Sequence, residues 1–181
     1  MRLYTGIGDQ GLTRLFGGAT VDKDDVRVVA YGEVDELNSC LGLARNAVIP
    51  ECARVLERIQ NELFEIGAEL AAVGKNATIT EEHVKRMEGE IDGYQAAAPE
   101  LRNFVLPAGK AGAAELHLAR SVCRRAERSV VTLHRKEGVR NEVLRYLNRL
   151  SDLLFAMSRA VLAQAGEKET VWNFRTQEKA E

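Results

Sequence analysis

From residue 34 onward, apolar side chains return at alternating steps of three and four, the period that gathers them on one face of an α-helix. Val34, Leu37, Leu41, Ala44 and Val48 open the series and predict a helix over about 32–47. Leu56, Ile59, Leu63, Ile66, Leu70 and Val73 continue it, with Pro50 suited to a first helical turn, where an N–H is unpaired anyway, and Gly74 as a stop. Thr78 and Glu81 have capping-box spacing ahead of Val84, Met87, Ile91 and Tyr94, which predicts a shorter third helix ended by Pro99. Leu116, Ala119, Cys123, Ala126, Val130 and Leu133 make a long fourth stripe, closed by the basic run His134, Arg135, Lys136 and by Gly138. Asn141 is expected to cap a fifth, along Val143, Leu147, Leu150, Leu154, Met157 and Val161, with Gly166 as its stop.

Five amphipathic stripes without strand-like alternation between or after them predict an all-α, five-helix, up-and-down bundle. The turn between the fourth and fifth helices is so short that they should pack as an antiparallel pair. Residues 1–30 carry no helical stripe; Gly6, Gly8, Gly11, Gly17 and Gly18 stand there among threonines and aspartates, which is loop chemistry. The segment from Glu167 reads as extended, and Trp172 and Phe174 suggest that it docks on the bundle. The chain of 181 residues is therefore expected to be one domain: a loop segment over 1–30, a bundle over 31–166 and a tail over 167–181.

Composition narrows the function classes. A formal net charge of -2 leaves no cationic surface overall, so an anion site must arise from local clustering and nucleic acid is not an expected partner. No apolar run approaches the roughly 18 residues that cross a bilayer, and no signal-peptide core is present at the amino terminus. Cys40, Cys52 and Cys123 are odd in number and widely spaced, which suggests a reducing compartment and a cytoplasmic protein.

Four blocks carry candidate chemistry. In Thr5-Gly6-Ile7-Gly8-Asp9-Gln10-Gly11-Leu12-Thr13, followed by Lys23, glycines let backbone N–H groups approach an anion, hydroxyls add donors and the lysine adds charge, as a polyphosphate requires. An ordinary turn is the plain alternative, since no Walker GK[ST] ending follows. Arg120, Arg124 and Arg128 recur every four residues, so their guanidiniums form one stripe, with Glu127 the only acid between Arg120 and Arg128. A bound polyanion would relieve their repulsion through bidentate contacts; pairing with acids on another helix would do so as well. Acids of the block Tyr31 to Asn38 suit a first helical turn, and Asp35, off the centre of the apolar stripe, could orient an arginine of helix four. Asn148 and Asp152 share a face of helix five, whose interior disfavours both residue types. None of His83, His117 or His134 follows a glutamate by three, so the di-iron bundle pattern is missing, no protein-held metal is expected, and each histidine reads as a surface or packing residue.

Taken in order, TGIGDQGLTRLFGG, KDDVRVVAYGEVDELNSCLGLA, LHLARSVCRRAERSVV and RYLNRLSDLLFAMSRA resemble the PduO-type ATP:cob(I)alamin adenosyltransferases, to about residue 165. The resemblance implies a ferritin-like bundle, a homotrimer, and active sites between neighbouring subunits. ATP would be held by Thr5, Gly6, Ile7, Gly8, Thr13, Arg14 and Lys23 of one subunit, and by Arg124, Arg125, Ala126, Glu127, Arg128 and Asn148 of the next. Arg120 resembles the arginine that pairs with the aspartate of the VDELN block, here Asp35, and shapes the interface and corrinoid side; Phe104 resembles the phenylalanine on the corrinoid's lower face. Two departures stand out: Gly6 occupies a position that is often basic, and Leu106-Pro107-Ala108-Gly109 replaces a glycine pair after the proline.

The implied reaction transfers the 5′-deoxyadenosyl group of ATP to the cobalt of cob(I)alamin. Cobalt attacks the 5′ carbon and triphosphate leaves, with Arg124, Arg128, Lys23 and Mg²⁺ stabilising the departing charge and Asn148 in the same site. The implied partners are a cob(II)alamin reductant and an adenosylcobalamin-dependent enzyme. Other classes open to the same residues are a non-catalytic adenosylcobalamin carrier and a nucleotide-sensing helical trimer.

Overall fold

The computed structural model describes residues 6–72 and 77–172, without the side chain of Ile7; Thr5, Val73, Gly74 and Phe174 lie outside the described residues. Five helices account for most of it: α1 (Val26–Ala47), α2 (Pro50–Ala71), α3 (Glu81–Ala96), α4 (Ala113–Glu137) and α5 (Asn141–Gln164). A 3₁₀ turn at Ile7–Gln10 and a hairpin of β1 (Leu12–Arg14) and β2 (Thr20–Asp22) precede them.

The expected boundaries shift where local capping overrides the apolar stripe. Helix α1 starts at Val26 rather than near 32, because Asp25 accepts the Arg27 N–H at 2.8 Å and Ala30 joins the core a turn before Val34. The loop of 1–30 thus yields its last residues to α1; Gly6 and Gly11 bracket the 3₁₀ turn, while Gly17 and Gly18 lie in the turn of a hairpin whose three-residue strands are too short to show alternation. Thr80, not Thr78, caps α3, and His83 Nδ1 takes the acid's place by accepting the Thr80 N–H at 3.2 Å. Asn141 is the first residue of α5 rather than its cap. Among the described residues, no helix is long and apolar enough to cross a membrane.

Side-chain pairs fix the helix directions. Arg27–Glu137, Ser129–Glu33 and Arg125–Glu36 run in opposite senses along α1 and α4, which are therefore antiparallel. Asn38–Gln60 and Arg45–Glu57 show the same for α1 and α2, Arg86–Glu62 and Arg58–Glu90 for α2 and α3, and Cys123–Leu147 and His117–Ser158 for α4 and α5. Arg145–Glu81 and Arg149–Glu88, in contrast, make α3 and α5 parallel. Packing runs α2–α1–α4–α5–α3 around the bundle, and ion pairs close the ring between α3 and α2. Direction alternates along the sequence, so the chain must pass the end of α5 to travel from α3 to α4. Residues 97–112 are that crossover, and they hold Phe104 above the groove between α4 and α5.

Every stripe residue from Leu37 to Leu41 on α1 and from Leu56 to Ile66 on α2 is essentially inaccessible, and Tyr146 closes the centre by donating its hydroxyl to the buried Glu62. Each such side chain contributes roughly 1.5–3 kcal/mol by leaving water. The crossover joins α4 at Gly112, whose φ is +85° and whose Cβ, if present, would lie 2.5 Å from Val48 Cγ1 and 3.1 Å from the Ala47 carbonyl carbon. Gly112→Ala should therefore cost about 2–4 kcal/mol, from a left-handed backbone and overpacking together. Gly166→Ala, at φ +69° with open space around it, bears only the first cost. Thermal melts should show a markedly larger fall for Gly112→Ala; equal shifts would refute the packing argument.

Candidate functional site

Helix α4 exposes Arg124 and Arg128 and half-buries Arg120. Two clefts meet along this stripe. The first, about 440 Å³, is lined by Arg124, Glu127, Arg128, Arg135 and Asn148. The second, about 350 Å³, lies under the crossover and is lined by Phe104, His117, Arg120, Arg124, Asp152 and Phe155 among others. Arg124 borders both, so a polar groove and an aromatic cleft share one guanidinium.

Charge is distributed unevenly. Arg27, Arg58, Arg86, Arg140, Arg149 and Arg159 each pair with a carboxylate. Among the described residues, no carboxylate or hydrogen-bond acceptor partners the side chains of Arg124 and Arg128, and the buried Arg120 Nε also lacks one. Burial first, and the neighbouring Arg124 second, hold the Arg120 guanidinium below its ordinary value. Its Cζ lies 5.9 Å from the centre of the Phe155 ring, a cation–π contact that partly replaces a counter-ion. In the polar groove, Asn148 Nδ2 donates to Glu127 at 3.0 Å and Asn148 Oδ1 accepts from Arg149 at 2.8 Å, which fixes the amide's orientation.

Two expected members of the arginine block stand apart from the groove. Arg125 turns to α1, where Glu36 pairs with it and Glu33 lies at 4.0 Å, because it sits one residue round the helix from the stripe. Ala126 is fully buried in the core and offers its side chain to packing. Phe104 is 79% exposed at the mouth of the aromatic cleft.

The amino-terminal loop is compact. Gly6 and Gly11, both with positive φ, bracket the 3₁₀ turn, and the Lys23 ammonium lies so close to Gly8 that a Cβ there would be 3.0 Å from Nζ. Thr13 and Arg14 follow on β1. None of these residues lines either cleft of the same chain. Asp35 is exposed and borders a third cleft, about 390 Å³, with Tyr31, Phe64 and Gly67; no ion pair joins it to Arg120 within one chain. Of the LPAG segment, the structure accounts for the glycine that remains: at Gly109, φ +132°, a Cβ would meet Leu162 at 2.9 Å and Ala113 at 3.0 Å.

Phe155, Arg159 and the cleft position of His117 are site features that the sequence pattern does not single out. Phe155 falls between stripe positions, His117 reads as packing, and an arginine inside the apolar run around Met157 was the one visible signal for Arg159.

One side of the helical bundle thus carries an arginine stripe without carboxylate partners among the described residues, running from a polar groove into an aromatic cleft. Residues 3–161 match the cobalamin adenosyltransferase family, and the chain belongs to it. It is similar to the corrinoid adenosyltransferase of Bacillus subtilis (strain 168), 49% identical over 92% of this chain and 89% of that protein. It is also 44% identical to a corrinoid adenosyltransferase of Citrobacter freundii, over 87% of this chain and 93% of that one. Among solved structures, a variant of the PduO-type ATP:corrinoid adenosyltransferase from Lactobacillus reuteri, complexed with cobalamin and ATP, superposes with a TM-score of 0.91 at 36% identity, covering 96% of this chain and 100% of that one.

His117, 6% exposed, touches Ser158 through Nε2 at 3.3 Å while its Nδ1 has no partner. Burial, and then Arg120, lower its pKa from the ordinary 6.5. Between 6.5 and the lower folded value, the unfolded chain binds a proton that the folded chain does not. His117's contribution should therefore be fully present above that window and lost as pH falls through it. Denaturant titrations of the parent and His117→Asn across this range should show a shallower acid slope in the variant; identical slopes would exclude the buried neutral imidazole as a source.

Proposed function

We propose that the chain transfers the 5′-deoxyadenosyl group of ATP to the cobalt of cob(I)alamin, releasing triphosphate and forming adenosylcobalamin. The observation that carries the reading is Arg124, shared between a groove that suits a polyphosphate and a cleft that suits a corrin face. A substrate pair reacting at the 5′ carbon requires that junction, because the bond that breaks joins the triphosphate to the carbon that cobalt attacks.

The chain supplies no nucleophile in this reaction. The cobalt electron pair forms the cobalt–carbon bond, and the carbon–oxygen pair leaves with the triphosphate. Arg124 and Arg128 neutralise the charge that grows on the leaving oxygen, and their freedom from internal carboxylates leaves both forks open to phosphate. Asn148, fixed between Glu127 and Arg149, presents a preset amide to the same groove. Mg²⁺ fits a limited role: Glu127 is the carboxylate lining this groove, so the ion would be held chiefly by ATP phosphates and would supply charge neutralisation.

The glycine loop with Thr13, Arg14 and Lys23 and the arginine groove are not combined in one chain, so we assign the loop's anion to the groove of a neighbouring copy, in a homotrimer. The same assembly would bring Asp35 of one copy to Arg120 of the next, giving the partly buried cation the carboxylate it lacks. Phe104 would cover the lower corrin face and exclude an axial ligand, which eases reduction of cob(II)alamin by an external reductant. Three free thiols, Cys40, Cys52 and Cys123, fit a reducing, cytoplasmic setting, where an adenosylcobalamin-dependent enzyme would accept the product.

An anaerobic assay with ATP, Mg²⁺ and chemically reduced cob(I)alamin should give adenosylcobalamin and triphosphate in equal amounts; tight binding of both substrates without product would replace the enzyme by a carrier. In the same assay, Arg124→Ala should lower kcat/KM by about 10²–10³ while leaving the melting temperature nearly unchanged. Phe104→Ala should keep ATP affinity and slow the reaction that starts from cob(II)alamin and a reductant more than the one that starts from cob(I)alamin. Equal slowing of both would count against its role on the corrin face.

A further inference from the structure

Phe104 lies on the long crossover, at 79% exposure, yet its role under the proposed function requires a fixed ring. The crossover's local order comes from the tail. Trp172 N–H donates to the Phe104 carbonyl at 2.8 Å, Leu106 N–H donates to the Thr170 carbonyl at 2.8 Å, and Val105 and Val171 form an antiparallel bridge between them. The Trp172 ring meets the Phe104 ring edge-on, with centroids 6.3 Å apart and planes at 82°. A pairing this short is marginal alone. It needs an anchor.

The geometry points to Arg159 and Glu169 as that anchor: a partly buried ion pair that positions Phe104 by clamping the tail and the crossover to α5. Arg159 is 6% exposed, in the last turns of a helix whose neighbouring positions are apolar. Its Nε and Nη2 reach both oxygens of Glu169 at 2.7 and 2.9 Å, and Nη2 also donates to the Pro99 carbonyl at 2.7 Å. One guanidinium thus ties α5 to a residue five positions before Phe104 and to a residue three positions before Trp172. Its Cζ also lies 6.0 Å from the centre of the Phe155 ring, on which Arg120 sits at 5.9 Å, so the clamp also touches the wall of the aromatic cleft. The exposed pair Lys110–Glu167, at 2.7 Å, joins the same two segments farther along, but solvent screens it.

The role as stated rests on the reading of Phe104 above, whereas the clamp itself can be tested without it. Trp172 is the chain's one tryptophan, so its fluorescence reports the tail directly. Glu169→Gln preserves shape and removes the charge; Arg159→Lys preserves charge and loses the fork that reaches Glu169 and Pro99 together. In the full-length protein, with helicity checked by circular dichroism, both variants should raise acrylamide quenching of Trp172 and leave ATP titrations unchanged. The corrinoid KM should rise, and kcat/KM from cob(II)alamin should fall about 10- to 100-fold, the scale of an ångström-sized misplacement. In Phe104→Ala, adding Glu169→Gln should have almost no further effect on that rate, since a clamp acting through Phe104 has nothing left to position. Unchanged quenching would overturn the clamp, and additive losses would overturn its action through Phe104. Changed quenching together with a Phe104→Ala variant of full activity would keep the clamp and discard the corrinoid role of Phe104.

Discussion

A chain that reverses direction at every helix, yet seats α3 beside α5 in parallel, has to pass over the end of α5 before α4 can begin. That constraint organises the molecule. It creates the crossover of residues 97–112, suspends Phe104 over the groove between α4 and α5, and turns an ordinary inter-helix furrow into a covered cleft. Gly109 and Gly112 are where the crossover descends, and both backbones come so near Leu162 and Val48 that a methyl group would collide. The catalytic geometry proposed above is thus a by-product of how parallel neighbours are connected.

The second organising fact is electrostatic. Acids of α2, α3 and α4 hold most of the bundle's arginines in ion pairs, including the closure between α2 and α3, where Glu62 meets both Arg58 and Arg86. Against that background the stripe Arg120, Arg124 and Arg128 on α4 makes no ion pair among the described residues, and the Arg120 guanidinium is held below its ordinary value by burial and by Arg124. Such an arrangement is unfavourable in isolation, because like charges at one-turn spacing repel. It becomes favourable once a polyanion or another chain's carboxylate arrives. Under the proposed function, binding would therefore be driven partly by relief of repulsion already present in the folded chain.

The helices were legible because burial obeys a period: the stripe residues named from spacing are buried wherever they are described, apart from Val48 and Tyr94, although α5 also buries Tyr146, Leu153, Ala156 and Leu162 beside them. The start of α1 was not, since it depends on Asp25 as a cap rather than on another apolar residue. Strands of three residues left the hairpin invisible. The arginine stripe was readable at i, i+4 and i+8, whereas the separation of Arg125 from Arg124 depends on which acids α1 brings across, and no local pattern encodes that. Long-range pairs are illegible for the same reason. Nothing near Arg159 in sequence announces that Glu169 and Pro99 will meet around it; only the oddity of an arginine in an apolar run hinted that it had a partner.

The two halves of the proposed nucleotide site differ in how they are made rigid, and this bears on how they work together. The arginine groove is built on α4 and α5, whose shared core holds Cys123 and Leu147 in contact, so its positions are set by the whole bundle. The loop is held by its own turn, the hairpin and Lys23, with little of it buried, so its local stability is far lower. In the proposed trimer a rigid groove would receive the triphosphate before the loop of a neighbouring copy settles over it. The loop's ordering cost would then be met when phosphate is already present, which would make closure selective for a bound nucleotide rather than for an empty interface. The opposite construction, a mobile groove under a rigid loop, would lose the alignment of Arg124 with the aromatic cleft, on which the junction of the two substrates depends.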